Sequence, residues 1–99
     1  MVVMKRYLRQ TGTWLRVTGM NEYAEPVLAG QPIRLRFENK RRVVLDEGGQ
    51  EVVSEARAFC LENVRPGDYL EIGGQRWRVI AVSESPGLDG RAVYREVAL

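Results

Sequence analysis

Ninety-nine residues, 44% of them apolar and 28% charged, make one domain of ordinary globular composition and exclude wholesale disorder. There is no histidine and a single cysteine, Cys60, which removes the usual general base, the commonest metal ligand and any intramolecular disulfide. The net charge of +2 is modest, and a chain this short buries only about 60–70% of its unfolded surface, so its core is small.

The opening Met1-Val-Val-Met-Lys-Arg6 puts apolar residues before the charges, so it lacks the basic-then-apolar order of a secretion signal. No apolar run approaches the roughly 18–20 residues that span a bilayer. The expectation is a chain made in the cytosol, with no membrane partner and with Cys60 reduced and packed as a small hydrophobe.

Period-two alternation runs through most of the chain. Thr13 to Thr18 is a strand candidate, followed by a loop from Gly19 to Pro26. Ile33, Leu35 and Phe37 then alternate with Arg34, Arg36 and Glu38, the mark of a half-buried strand. Arg42 to Asp46 and Glu51 to Glu62 flank Glu47-Gly-Gly-Gln50 and read as a hairpin, with Gly48 and Gly49 supplying positive φ angles. In its second arm Val53, Phe59 and Leu61 share a face with Glu55 and Arg57, which predicts a bulge or an exposed end near Ser54–Arg57.

Arg65-Pro-Gly-Asp68 has the form of a tight turn, with proline in its second position and glycine in its third. Tyr69 to Ile72 and Gln75 to Ser83 are strands joined by Gly73-Gly74, and Arg91 to Leu99 closes the chain after a loop from Ser85 to Gly90. Short strands near ten-residue spacing, with no helical period, predict an all-β fold. The expected architecture is a single domain over 1–99: a small closed or partly open antiparallel β-barrel with a long hairpin at about 40–57. Leu70, Trp77, Val79, Phe59 and Leu61 are its expected core anchors.

Nothing in the sequence has a catalytic pattern. Asp46 and Glu47 flank a glycine turn, where solvent keeps both ionised rather than separating their pKa values. Neither Gly-Gly pair leads into a helix that would hold a phosphate, and Asp46, Asp68 and Asp89 lack calcium-loop spacing. No enzyme activity, metal or cofactor is expected.

Charge is unevenly divided. Residues 1–42 carry nine Lys/Arg against three Glu, a balance of +6; residues 43–99 carry six Arg against ten Asp/Glu, a balance of −4. Such a division suits a nucleic-acid patch, or two complementary faces through which identical copies meet, unless the strands mix both halves in space and cancel it. Lys40-Arg41-Arg42, with Arg34 and Arg36, is the basic cluster. In Arg76-Trp77-Arg78, Trp77 either stacks a base or anchors the core, and its shared parity with Val79 favours the core.

The order of elements resembles a known family. Arg41-Arg-Val-Val44 with Gly48-Gly49, Glu51-Val-Val-Ser-Glu-Ala56, Val64-Arg-Pro-Gly-Asp-Tyr-Leu70, Gly73-Gly-Gln-Arg-Trp-Arg-Val-Ile80 and Asp89-Gly90 leading to Tyr94 are similar to the small head-closure, or stopper, proteins of tailed bacteriophages. Tyr7 to Thr13 and Asn21-Glu-Tyr-Ala-Glu-Pro26 match more loosely, with Ala24 where a glycine is expected. The resemblance implies a virion-neck protein. Copies would form a hexameric or dodecameric ring beneath the portal and adaptor, close the channel after DNA packaging and receive the tail-completion protein.

On that resemblance the hairpin tip of Asp46, Glu47, Gly48, Gly49 and Gln50 would face the channel through which packaged DNA passes. Lys40, Arg41, Arg42, Arg34 and Arg36 would contact a neighbouring subunit or DNA. The alternative reading is a small barrel module that binds single-stranded nucleic acid through Lys40–Arg42, Arg34, Arg36 and Trp77. A third is an accessory domain of a larger complex.

Overall fold

Turn residues divide the described residues into seven strands. The computed structural model of the chain describes residues 8–86 and 93–99. The strands are β1 (Gln10–Met20), β2 (Pro26–Leu45), β3 (Glu51–Cys60), β4 (Tyr69–Ile72), β5 (Gln75–Arg78), β6 (Ala81–Pro86) and β7 (Val93–Ala98). They form one antiparallel sheet in the order β5-β4-β1-β2-β3-β7-β6, and no helix occurs among the described residues. The all-β expectation holds. The Asp89-Gly90 turn, Tyr7 and Arg91 lie outside the described residues.

Strand β2 organises the sheet. Its 20 residues, at about 3.3 Å each, would extend to about 66 Å if straight, whereas the molecule measures 45 Å along its longest axis. The strand therefore bends. Up to Leu35 it pairs with β1, and from Arg36 onward it pairs with β3, so it serves both halves of the sheet. Beyond Asn39 the ladder slips: Asn39 faces Ala56 and Arg42 faces Ser54, leaving Lys40 and Arg41 opposite the single residue Glu55. The expected irregularity lies at this rung, but its extra residue is on β2 rather than β3.

The segment Gln75–Ser83 is not the single strand its alternation predicts. Strand β5 ends at Arg78 and β6 begins at Ala81 on the opposite edge of the sheet. Between them, Val79 N–H donates to the Asp68 carbonyl at 2.9 Å and Ile80 N–H donates to the Ala98 carbonyl at 2.8 Å. The two edges thus come together at Val79–Ile80, although no ladder pairs β5 with β6 and the sheet is not closed into a barrel.

The concave side holds the main core of Trp14, Ile33, Leu35, Leu70, Val79 and Val97 with their neighbours. Full burial of such side chains contributes about 1.5–3 kcal/mol each. Leu70 and Val79 are buried as expected, while Trp77 is only partly buried and packs on Phe37 with ring centroids 5.5 Å apart. On β3 the residues in this core are Ala56, Ala58 and Cys60, and their neighbour Ser54 is also fully buried. Phe59 instead joins Leu8, Leu61 and Tyr94 in a separate cluster. Tightly curved sheet leaves little space inside, so small side chains fill it and the large ones of β3 pack elsewhere.

Two turns turn out to be copies of one another. In Asn21–Glu25 and in Asp46–Gln50 the first side-chain oxygen accepts from the backbone N–H groups of the third and fifth residues. The first N–H donates to the fifth carbonyl, and the fourth N–H donates to the first carbonyl. The fourth residue has positive φ in both, Gly49 at 80° and Ala24 at 60°. Only Gly49 of the Gly48-Gly49 pair takes the left-handed conformation, contrary to the expectation for both.

Arg65–Asp68 forms the expected turn, with Gly67 at φ 92° and Asp68 N–H donating to the Arg65 carbonyl. Its aspartate does more than end the turn. Asp68 is buried, and its carboxylate accepts from the Trp14 indole N–H at 2.9 Å and from the Val17 and Arg65 backbone N–H groups, each at 3.1 Å. One carboxylate thereby ties β1 to the corner where the sheet edges meet.

Two substitutions test these local arguments. A left-handed non-glycine residue costs roughly 1–2 kcal/mol, of which glycine's extra unfolded-state freedom returns about 0.4–1. Ala24→Gly is therefore expected to raise stability by about 0.5–1 kcal/mol, read as a rise of a few degrees in the melting temperature. A lower melting temperature would refute the reading of this turn. Asp68→Ala leaves the buried indole N–H without its acceptor and is expected to cost about 2–4 kcal/mol in denaturant unfolding; a loss under about 1 kcal/mol would show that the clamp is dispensable.

Candidate functional site

The distinctive surface of the molecule is the hairpin made by the second half of β2 and by β3. Its register follows from two devices already in the chain. The Asp46–Gln50 turn fixes the tip, and the extra residue at Lys40–Arg41 resets the parity of β2. Before the bulge the odd residues Ile33, Leu35 and Phe37 point toward the core. A one-residue slip sends every later side chain to the other face, so Val43 and Leu45 turn outward. Val43 pairs with Val53, and these three residues are 62%, 60% and 45% exposed for Val43, Leu45 and Val53 respectively. The hairpin thus carries an apolar stripe that the described residues leave uncovered.

At the root of the hairpin the basic cluster meets acids from later strands. Arg57 Nε donates to Glu38 at 2.8 Å and Arg57 Nη1 to Glu96 at 3.4 Å. Arg36 pairs with the same Glu38 at 3.3 Å, and Arg42 pairs with Glu96. The result is a chain of alternating charges, Arg36–Glu38–Arg57–Glu96–Arg42, across β2, β3 and β7. The Arg57 guanidinium, bonded to the Glu38 carboxylate, holds its pKa below the ordinary 4.5 against the opposing effect of desolvation, with Arg36 adding to the lowering. Arg41 lies 3.9 Å from Glu55 in a mostly exposed pair.

The expected contact residues therefore divide. Arg36 and Arg42 are engaged within the chain, and the +6/−4 division is partly cancelled by the fold. Lys40 and Arg34 are exposed and form no ion pair among the described residues. At the tip, Asp46 is held as a turn acceptor by Gly48 and Gln50, while Glu47, Gly48, Gly49 and Gln50 are exposed. A cleft of about 300 Å³ separates the tip at Asp46 and Glu47 from Gly67, Arg78 and Ile80. The structure brings the tip and the basic root together on one hairpin, but Arg34 lies apart, on the half of β2 that pairs with β1.

A second concave surface lies near Arg34. Leu8, Thr11, Pro32, Ile33, Arg34, Leu61 and Glu62 line a groove of about 460 Å³. Glu62 Oε1 is buried and lacks a hydrogen-bond partner among the described residues. Sequence reading missed this groove, whose walls come from three separate stretches of chain. The remaining candidate for chemistry, Cys60, is buried, and burial reinforced by the nearby Glu62 carboxylate pushes its thiol up to about 12. No cluster of potential metal ligands occurs among the described residues. The chain matches no protein-family model and no curated protein.

The ion-pair chain has a definite pH signature. Because the folded pKa of Glu38 is lowered, its contribution to stability is fully present above the ordinary value of 4.5 and is lost as pH falls through the folded value. Urea midpoints are expected to fall below pH 4.5, and Arg57→Met is expected to flatten that part of the profile. An unchanged acid slope in the variant would remove Arg57 from this role.

Proposed function

We propose that the chain is a structural component of the head–tail connector of a tailed bacteriophage, located in the virion neck, where copies form a ring that closes the portal channel. The supporting observation is the hairpin: a rigidly capped tip, an ion-paired root and an apolar stripe between them that the chain itself leaves exposed. A side-chain surface of this kind is suited to contact between protein subunits. The curled sheet, with its edges joined at Val79–Ile80, serves in this reading as a partly open barrel body that carries the hairpin. It has no enzyme activity, and its partners are copies of itself, the portal and adaptor above, and a tail-completion protein below.

In the closed ring, tips carrying Glu47 with Asp46 converge on the channel. Acids there repel DNA phosphates, so closure is steric and does not hold the genome by adhesion. Binding of single-stranded nucleic acid is the weaker reading. Trp77, which that reading needs for stacking a base, is packed on Phe37, and Arg36 and Arg42 already pair with carboxylates.

Mixing the purified chain with the portal–adaptor complex of its own phage tests the proposal. Co-elution of a multi-copy ring with the complex in sizing chromatography is the expected outcome. Failure to bind that complex at any ratio would reject the proposed role.

A further inference from the structure

The apolar stripe and the apolar groove are different surfaces of the same chain, and each carries charges that form no ion pair among the described residues. The stripe of Val43, Leu45 and Val53 has Glu51 directly across from Leu45, and Lys40 stands at its root. The groove is floored by Leu8, Pro32 and Leu61, with Arg34 exposed on its wall and Glu62 opposite in charge. Among the described residues none of Glu51, Lys40, Arg34 and Glu62 forms an ion pair. One acid and one base are therefore left over on each surface, together with apolar side chains on both.

We infer that the occupant of the groove is the hairpin of a second copy of this chain, its Val43–Leu45–Val53 face against Pro32 and Leu61 and its Glu51 toward Arg34. Lys40 of the incoming hairpin is the cation available to Glu62. The inference rests on the ring reading above and specifies the contact by which one subunit meets the next.

Such a contact is heterologous. Two unlike surfaces on one chain let every copy both give a hairpin and receive one, so the assembly closes as a ring or continues as a filament according to the angle between them. The bulge at Lys40–Arg41 is the cause, because without it Val43 and Leu45 would keep the inward parity of Ile33 and Leu35. Stable interfaces engage roughly 20–30 residues a side, whereas this groove is lined by seven. Free copies are thus expected to associate weakly, and the ring to be held when a template supplies the remaining contacts.

Intermolecular disulfide formation tests the pairing. A Val43→Cys chain and a size-tagged Thr11→Cys chain are mixed under mild oxidation, with Val53→Cys and Pro32→Cys as a second pair; all four positions are exposed apart from any core role. The wild-type chain, whose only thiol is the buried Cys60, is the blank. Mixed-variant product well above same-variant product is expected in both pairs. Arg34→Glu on the groove chain should lower the yield by up to about five-fold, the scale of an exposed ion pair, and Glu51→Arg on the hairpin chain should restore it.

Mixed product no greater than same-variant product in both pairs, from chains whose melting temperatures match wild type, would overturn the contact. Repeating the oxidation on the portal–adaptor complex separates this inference from the role it rests on. A ring on the complex without hairpin-to-groove cross-links leaves the connector role standing and removes the contact. Cross-links in free solution with no binding to the complex do the reverse.

Discussion

The link Val79–Ile80 imposes the shape on everything else. Seven strands side by side, at spacings of about 4.8 Å, would put the outermost two about 29 Å apart in a flat sheet. Yet β5 and β6 are those outermost strands, and only two residues separate them. From Arg78 to Ala81 the chain can reach about 11 Å at most. The sheet must therefore curl until its edges approach, and the Asp68 and Ala98 carbonyls hold the link from its two sides. Right-handed strand twist supplies curvature in general; here the covalent chain determines how far it goes.

The consequences reach β2 and β3. A sheet curled this far needs one strand to pass from one half to the other, and β2 does so by changing partner between Leu35 and Arg36. Its neighbour β3, paired between β2 and β7, presents Ala56, Ala58 and Cys60 to the main core, all fully buried. Asp68 fits the same requirement. Burying a carboxylate is costly unless donors surround it, and three N–H groups do so at the point where β1, the Arg65–Asp68 turn and Val79 converge.

Much of this was legible in the residues. The Arg65-Pro-Gly-Asp68 turn, β4 from Tyr69 to Ile72 and the hairpin around Gly48-Gly49 follow from local chemistry, because turn conformations are set by the residues that adopt them. The reading failed where a distant constraint decided. Alternation across Gln75–Ser83 continues through Val79, so nothing local reveals that the chain changes edges there. Phe59 is a buried core residue with Leu61 partly buried beside it, but both belong to a second cluster with Leu8 and Tyr94, on the face of β3 opposite Ala56, Ala58 and Cys60. Ala24 stood out in the sequence as an alanine in a glycine position, and its φ of 60° gives the physical reason.

Charge shows how the local and the distant combine. In sequence, Lys40-Arg41-Arg42 is a run of three cations that invites a nucleic-acid reading. In the fold, Glu96 reaches Arg42 from β7, and Glu38 and Arg57 complete an alternating chain. Pairs of this kind, partly shielded from water, fix the hairpin root more than they attract a polyanion, because each cation's field is cancelled within a few ångströms. What the cancellation leaves is more informative than the total. Among the charges left without an ion pair, Glu51 and Lys40 lie on the hairpin that carries the apolar stripe, and Arg34 and Glu62 line the groove; a surface that combines uncovered aliphatic side chains with unpaired charges of both signs favours a partner with the converse arrangement over a uniformly charged one.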